Sequence, residues 1–121
     1  MEPEQVAAAA AEHGDVTGVL AAESASGRRS WLVALGDGEE RLWLVLDAGG
    51  DPVSERATVR EVASLVAMSE LAAELAGEDD VARVASPAYL DSVGTAQLGA
   101  ATGIVDAFVA EVEARYLLPL R

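Results

Sequence analysis

From Val16 to Asp47 the apolar residues come in short blocks, "VTGVLAAE", "SWLVALG" and "ERLWLVLD", separated by the polar stretches "SASGRR" and "DGE". Blocks of this length, rich in Val, Leu and Trp and bounded by Gly, Ser and Asp, predict three strands joined as an antiparallel meander. Asp37-Gly38 is the strongest hairpin signal in the chain and is expected to form the turn between the second and third strands. Because side chains alternate along a strand, such a turn places Trp31, Val33 and Leu35 on one face with Leu42, Leu44 and Leu46. That wholly apolar face is expected to meet the core. The opposite face carries Leu32, Ala34, Arg41, Trp43, Val45 and Asp47, too apolar for open solvent and too polar for a deep interior.

Beyond "DAGGDPVSE" the period changes. Val59, Val62, Val66 and Ala73 form a stripe with Leu65 and Ala72 beside it, whereas Arg56, Arg60 and Ser64 face away. That spacing predicts an amphipathic helix over residues 54–76, capped by Asp51 or Ser54, ended by Gly77 and laid on the apolar face of the sheet. Pro3, Glu4 and the following alanines predict a short helix over 3–12 that stops near Gly14. "VARVAS", residues 81–86, fits a short strand or a helical turn. Ser86-Pro87 opens a last helix expected to run over 87–117, with Gly94 a place for a bend and Pro119 as the stop.

The expected architecture is therefore α+β: a short N-terminal helix, a three-stranded antiparallel meander, and two long C-terminal helices packed on the sheet as a single domain over 1–121. The last helix carries an unusual second pattern. At about 100° per residue, Leu98, Ala101, Ile104, Val105, Phe108, Val112 and Tyr116 gather into a core stripe. Nearly opposite them lie Ala96, Gly99, Gly103, Ala107, Ala110 and Ala114, with polar seams between the two. An interior glycine costs about 1 kcal/mol relative to alanine, so a face of this kind calls for a backbone or ligand lying close against it. An intrachain helix contact, a homodimer seam and a ligand groove all meet that requirement.

Composition narrows the partners. The sequence holds 21 acidic residues against eight basic ones, for a net charge of −13, and all eight are arginines. A field of that sign repels phosphate backbones and anionic lipid, so neither nucleic acid nor membrane surface is an expected partner. The longest uncharged run, between Asp91 and Asp106, has 14 residues, short of the roughly 20 a spanning helix needs. The acidic N-terminal stretch lacks the positive charge of a secretory leader, and a cytoplasmic location is expected.

The chemistry on offer is thin. With no cysteine and one histidine, a zinc or iron site would rest on carboxylates, and neither metal nor cofactor is expected. The acidic turns "GDGEE", "DAGGD" and "GEDD" lack the ligand spacing of a calcium loop and are expected to be solvated. His13, in "EHGD", suits the end of a helix better than general-base work. No phosphate-binding loop, nucleophile elbow or zinc-protease motif occurs, so no catalytic residue is assigned. The expectation is a small acidic, non-enzymatic interaction or accessory module acting as a homodimer, able to contact a protein partner. Its contact surfaces are drawn from Ala96, Gly99, Gly103, Ala107 and Ala110 on the last helix and from Arg41 and Trp43 on the second hairpin face. The rival expectation is a binder of an anionic small molecule, or a minor enzyme, with a pocket between sheet and C-terminal helix and Arg41 or Arg28 as the anchor.

Overall fold

The structure is a computed structural model and describes residues 2–76, 84–87, 90 and 102–121. Helix α1 covers Pro3–Ala10 and tightens into a 3-10 turn over Ala11–His13. Its first turn is closed by Gln5, whose Oε1 accepts the Glu2 N–H at 2.8 Å. Strands β1 (Val16–Glu23), β2 (Arg29–Leu35) and β3 (Leu42–Asp47) form the expected antiparallel meander. Helix α2 spans Arg56–Ala76, a two-residue strand β4 covers Val84–Ala85, and helix α3 runs over Thr102–Ala114.

Within the described residues the fold is α+β with one four-stranded sheet in the order β3-β2-β1-β4. The ambiguous segment at 81–86 thus contributes a strand at Val84–Ala85, paired in parallel with Ala21 and Ala22 of β1. A helical turn does open at Pro87, where the Leu90 N–H reaches the Ser86 carbonyl at 3.1 Å. The last helix ends sooner than its apolar spacing implied. Tyr116 lies past the end of α3 and bridges to Trp43 in an extended conformation, because the chain after Ala114 leaves the helix to pair with β3.

The hairpin register is the one alternation demands: Trp31 faces Leu46, Val33 faces Leu44, and Leu35 faces Leu42. The connection is not a two-residue turn at Asp37-Gly38, however. It is a loop from Gly36 to Arg41 built around a 3-10 turn at Gly38–Glu40. An even number of loop residues leaves the face assignment unchanged. Gly36 sits at φ +73°, and a Cβ there would stand 3.4 Å from the Glu40 carbonyl oxygen, so the loop's tight entry depends on glycine.

Which face takes the long helices is the main departure. Both α2 and α3 pack on the face of Leu32, Ala34, Trp43 and Val45, using Val59, Val62, Ala63 and Val66 from α2 and Val105, Val109 and Val112 from α3. The charged residues that made this face look polar, Arg41 and Asp47, flank β3 at its two ends. Between them the surface is apolar, and Ala34 offers no bulk against an approaching helix. The wholly apolar face of Trp31, Val33, Leu35, Leu44 and Leu46 is covered by Val6 and Ala10 of α1, with Leu117 and Leu118 alongside. The sheet is therefore the middle layer of two cores.

The outer edge of β3 is closed by two segments distant in sequence. Asp47 Oδ1 accepts the N–H groups of Gly49 and Asp51 at 2.9 and 3.0 Å, which reverses the chain. Val53 N–H then reaches the Val45 carbonyl at 2.9 Å. From the other side, Trp43 N–H donates to Arg115 O, and Leu117 N–H donates to Trp43 O, both at 2.9 Å. Between these, the Tyr116 hydroxyl donates to Val53 O at 2.6 Å and accepts the Val45 N–H at 2.9 Å. One phenol thus stands in for a missing strand residue. Burial pushes its pKa up to about 12, against the opposing effect of the Val45 N–H bond.

Candidate functional site

Helix α3 reaches the surface along one side because its core stripe is narrow. Val105, Val109 and Val112 point into the sheet layer, Phe108 is half-buried, and Gly103, Ala107, Ala110 and Ala114 are exposed. A Cβ added at Gly103 would meet nothing within 4 Å. No described residue of the same chain lies against that point. Ala96 and Gly99, assigned to the same face from sequence, fall outside the described residues, as do Leu98 and Ala101 of the core stripe. Ile104 departs from the core stripe in which its spacing put it, for it is 61% exposed. It stands at the border between the core side and the small-residue side of α3, where sheet contact has already ended.

Beside Ile104 an apolar groove of about 340 Å³ opens, lined by Leu20, Trp43, Val66, Leu71, Ile104 and Phe108, with Glu70 and Glu74 at its rim. Trp43 is 5% exposed, so it is a core residue that floors the groove and not a free surface contact. Its ring meets Phe108 edge-on at 5.3 Å between centroids and 73° between planes. On the other side the Arg41 guanidinium carbon lies 5.8 Å from the Trp43 centroid. Arg29 stacks on Trp31 in the same way at 5.7 Å. Each is an Arg-x-Trp step along one strand, with the cation two residues from the ring and on the same face. Arg41 is thus half-buried as a lid on an indole. Among the described residues its Nε has no hydrogen-bond partner, nor does the Trp43 Nε1.

The opposite flank of α3 is polar. Glu113 draws in Arg56 and Arg60, both from α2, with Arg56 Nη1 at 2.8 Å from Glu113 Oε2 and Arg60 on the other carboxylate oxygen. The two arginines assigned to solvent are exposed, yet they clasp the neighbouring helix. They line an open groove of about 830 Å³ between α2 and α3 together with Ser64, Asp106 and Ala110. Exposed pairs of this type contribute about 0.2–1 kcal/mol and chiefly fix the helix pair in register.

His13 closes the 3-10 turn after α1, with Nε2 at 3.3 Å from Glu12 Oε1. Among the described residues no group of three or more His, Asp or Glu converges as a metal site, and no helix is long and apolar enough to cross a membrane. Comparison with known proteins returns no matching family model, no matching curated protein and no matching solved structure.

Proposed function

We propose that this chain is a small, non-enzymatic interaction module that works as a homodimer, joined through the outer face of α3 and the groove beside it. The observation that carries the reading is the position of Ile104. It is a large apolar side chain, mostly in solvent, placed between the flat surface of Gly103 and Ala107 and the apolar groove floored by Trp43 and Phe108. A two-fold interface requires one patch to hold both a projection and the recess that receives it. Here Ile104 borders a recess that α2, α3 and the sheet line together, so the Ile104 of each copy has the other's recess to fill. The floor also retains the hairpin-face residues Trp43 and Arg41 in the proposed surface, as the base of the groove and the lid on its ring.

Light scattering of wild type at about 50 μM is expected to give twice the chain mass, given dissociation constants in the low micromolar range. Ile104→Glu and Gly103→Leu are each expected to return the monomer mass with little change in melting, since Ile104 is 61% exposed and a Cβ at Gly103 meets no described residue within 4 Å. Because both copies are strongly acidic, the dimer should tighten as salt is raised, whereas a complex with a basic protein partner would weaken. A monomeric wild type at that concentration, or a monomer obtained only when the variants unfold, would sink the proposal.

A further inference from the structure

A third cavity lies away from α3, where the β1–β2 turn folds over the start of α2. The turn is rigid by its own bonds: Ser24 N–H to Arg28 O at 3.0 Å, Gly27 N–H to Ser24 O at 2.9 Å, Arg28 N–H to Ser24 Oγ at 3.2 Å, and the Ser24 and Ser26 hydroxyls paired at 2.8 Å. It encloses about 340 Å³ against Thr58, Glu61, Val62 and Leu65 of α2, with Ala22 at the base. That volume is at the lower end of small-molecule sites, about 300–1,000 Å³.

Three features of the lining point to a ligand. Ser30 is 6% exposed, and its hydroxyl lines the cavity without a hydrogen bond to any described residue. That hydroxyl is open to the cavity and is a donor and acceptor that a ligand there can use. Arg28, exposed on the turn, also lines the cavity and has no ion pair among the described residues, so its guanidinium is available to an anion. Glu61, exposed on α2, borders this cavity as well as the groove between α2 and α3 and is likewise unpaired among the described residues, so it and Arg28 line one space without an ion pair between them. Between the two charges the floor is apolar, made by Ala22, Val62 and Leu65.

We infer that this cavity binds a free α-amino acid with a branched apolar side chain. Its carboxylate is taken by Arg28 and the Ser30 hydroxyl, its ammonium by Glu61, and its hydrocarbon by Val62 and Leu65. A guanidinium suits a carboxylate because its parallel N–H groups match the two oxygens. A simple anion would leave Glu61 facing it, and a simple cation would face Arg28. Only a zwitterion satisfies both. The site is independent of the dimer surface, so it stands or falls separately.

The test is a titration of the full chain, followed by amide NMR shifts, with L-leucine up to about 20 mM, a range suited to a dissociation constant near 1 mM. Two matched probes are 4-methylpentanoate, which lacks the amine, and 3-methylbutylamine, which lacks the carboxylate. Leucine is expected to give saturable shifts confined to the β1–β2 turn and the first turns of α2, binding about ten-fold tighter than either probe. Arg28→Ala should abolish binding of leucine and of the carboxylate probe. Glu61→Gln should weaken leucine about ten-fold and leave the carboxylate probe unchanged or improved. Ser30→Ala should weaken leucine while the melting temperature holds, because the lost hydroxyl bonds no described residue of the chain. Absence of saturable shifts with leucine overturns the inference. So does equal binding of 4-methylpentanoate by wild type, or a Glu61→Gln variant that binds leucine as well as wild type does.

Discussion

Leu32→Ala and Leu44→Ala are expected to destabilise the fold by similar amounts, each about 2–5 kcal/mol, as is usual for deleting a fully buried leucine. The two residues sit on opposite faces of the sheet, and both are 0% exposed. Leu32 is enclosed by α2 and α3, whereas Leu44 is enclosed by α1 and the segment at Leu117 and Leu118. A sheet with one true core would lose stability at only one of them. Urea unfolding of the two variants reads the difference directly. A cost under about 1 kcal/mol for Leu44→Ala, within the range of a surface change, would mean that α1 does not seal its side. Similar costs would establish the sheet as a shared middle layer.

Tyr116→Phe is expected to cost about 1–3 kcal/mol, the usual penalty when a buried donor loses its acceptor. The ring would still pack, but the Val45 N–H and the Val53 carbonyl would each lose the hydroxyl that now joins them. The same hydroxyl makes stability depend on alkali. Burial raises its folded pKa from 10.0 to about 12, with the Val45 N–H bond working in the other direction. A group whose folded pKa lies above the unfolded value binds its proton more tightly in the folded state. Its contribution is therefore complete below about pH 10 and is lost as the pH rises towards about 12. Melting curves from pH 9 upward should fall more steeply for wild type than for Tyr116→Phe. Tyr89 is present in both proteins, so the difference between the slopes isolates Tyr116. Parallel slopes would show that the phenol ionises freely in the folded protein.

Much of the fold was legible because it rests on local periodicity. β1 occupies Val16–Glu23, the block quoted from its composition, and the facing pairs Trp31 with Leu46 and Val33 with Leu44 follow from alternation. The buried Val59, Val62 and Val66 follow from helical spacing in the same way. What periodicity cannot supply is the identity of the covering layer. It sorted Leu32 from Leu44 correctly and then sent the long helices to the wrong side, because Arg41 and Asp47 were counted as part of a surface they only border. Helical spacing alone makes Tyr116 one more helical position, since its partners at Val45 and Val53 are 71 and 63 residues away. β4 has two residues and carries little pattern of its own.

The two proposed surfaces differ in the same respect. The small-residue side of α3 is visible in any angular plot of Gly103, Ala107 and Ala110, for solvent-facing residues need no partner to be recognised. Spacing places Ile104 in the core stripe, but the angle at which sheet contact ends depends on how α3 is seated. The cavity at Ser30 arises only when the turn meets α2. Its single trace in the sequence is the run of hydroxyls around the lone basic pair Arg28-Arg29, and nothing local ties that run to Glu61.

The closed edge of β3 has a consequence for how the protein behaves in a crowded solution. An uncovered strand edge is a template on which other chains can extend a sheet, the first step towards fibrils. Here Trp43, Val45 and Asp47 already have their main-chain groups engaged by Arg115, Leu117, the Tyr116 phenol and the segment at Asp51 and Val53. An invading strand would have to peel away both the C-terminal segment and the chain after Asp47 before it found a single free N–H. Residues 115–118 therefore serve as a guard rail against runaway sheet growth as well as a wall of the core.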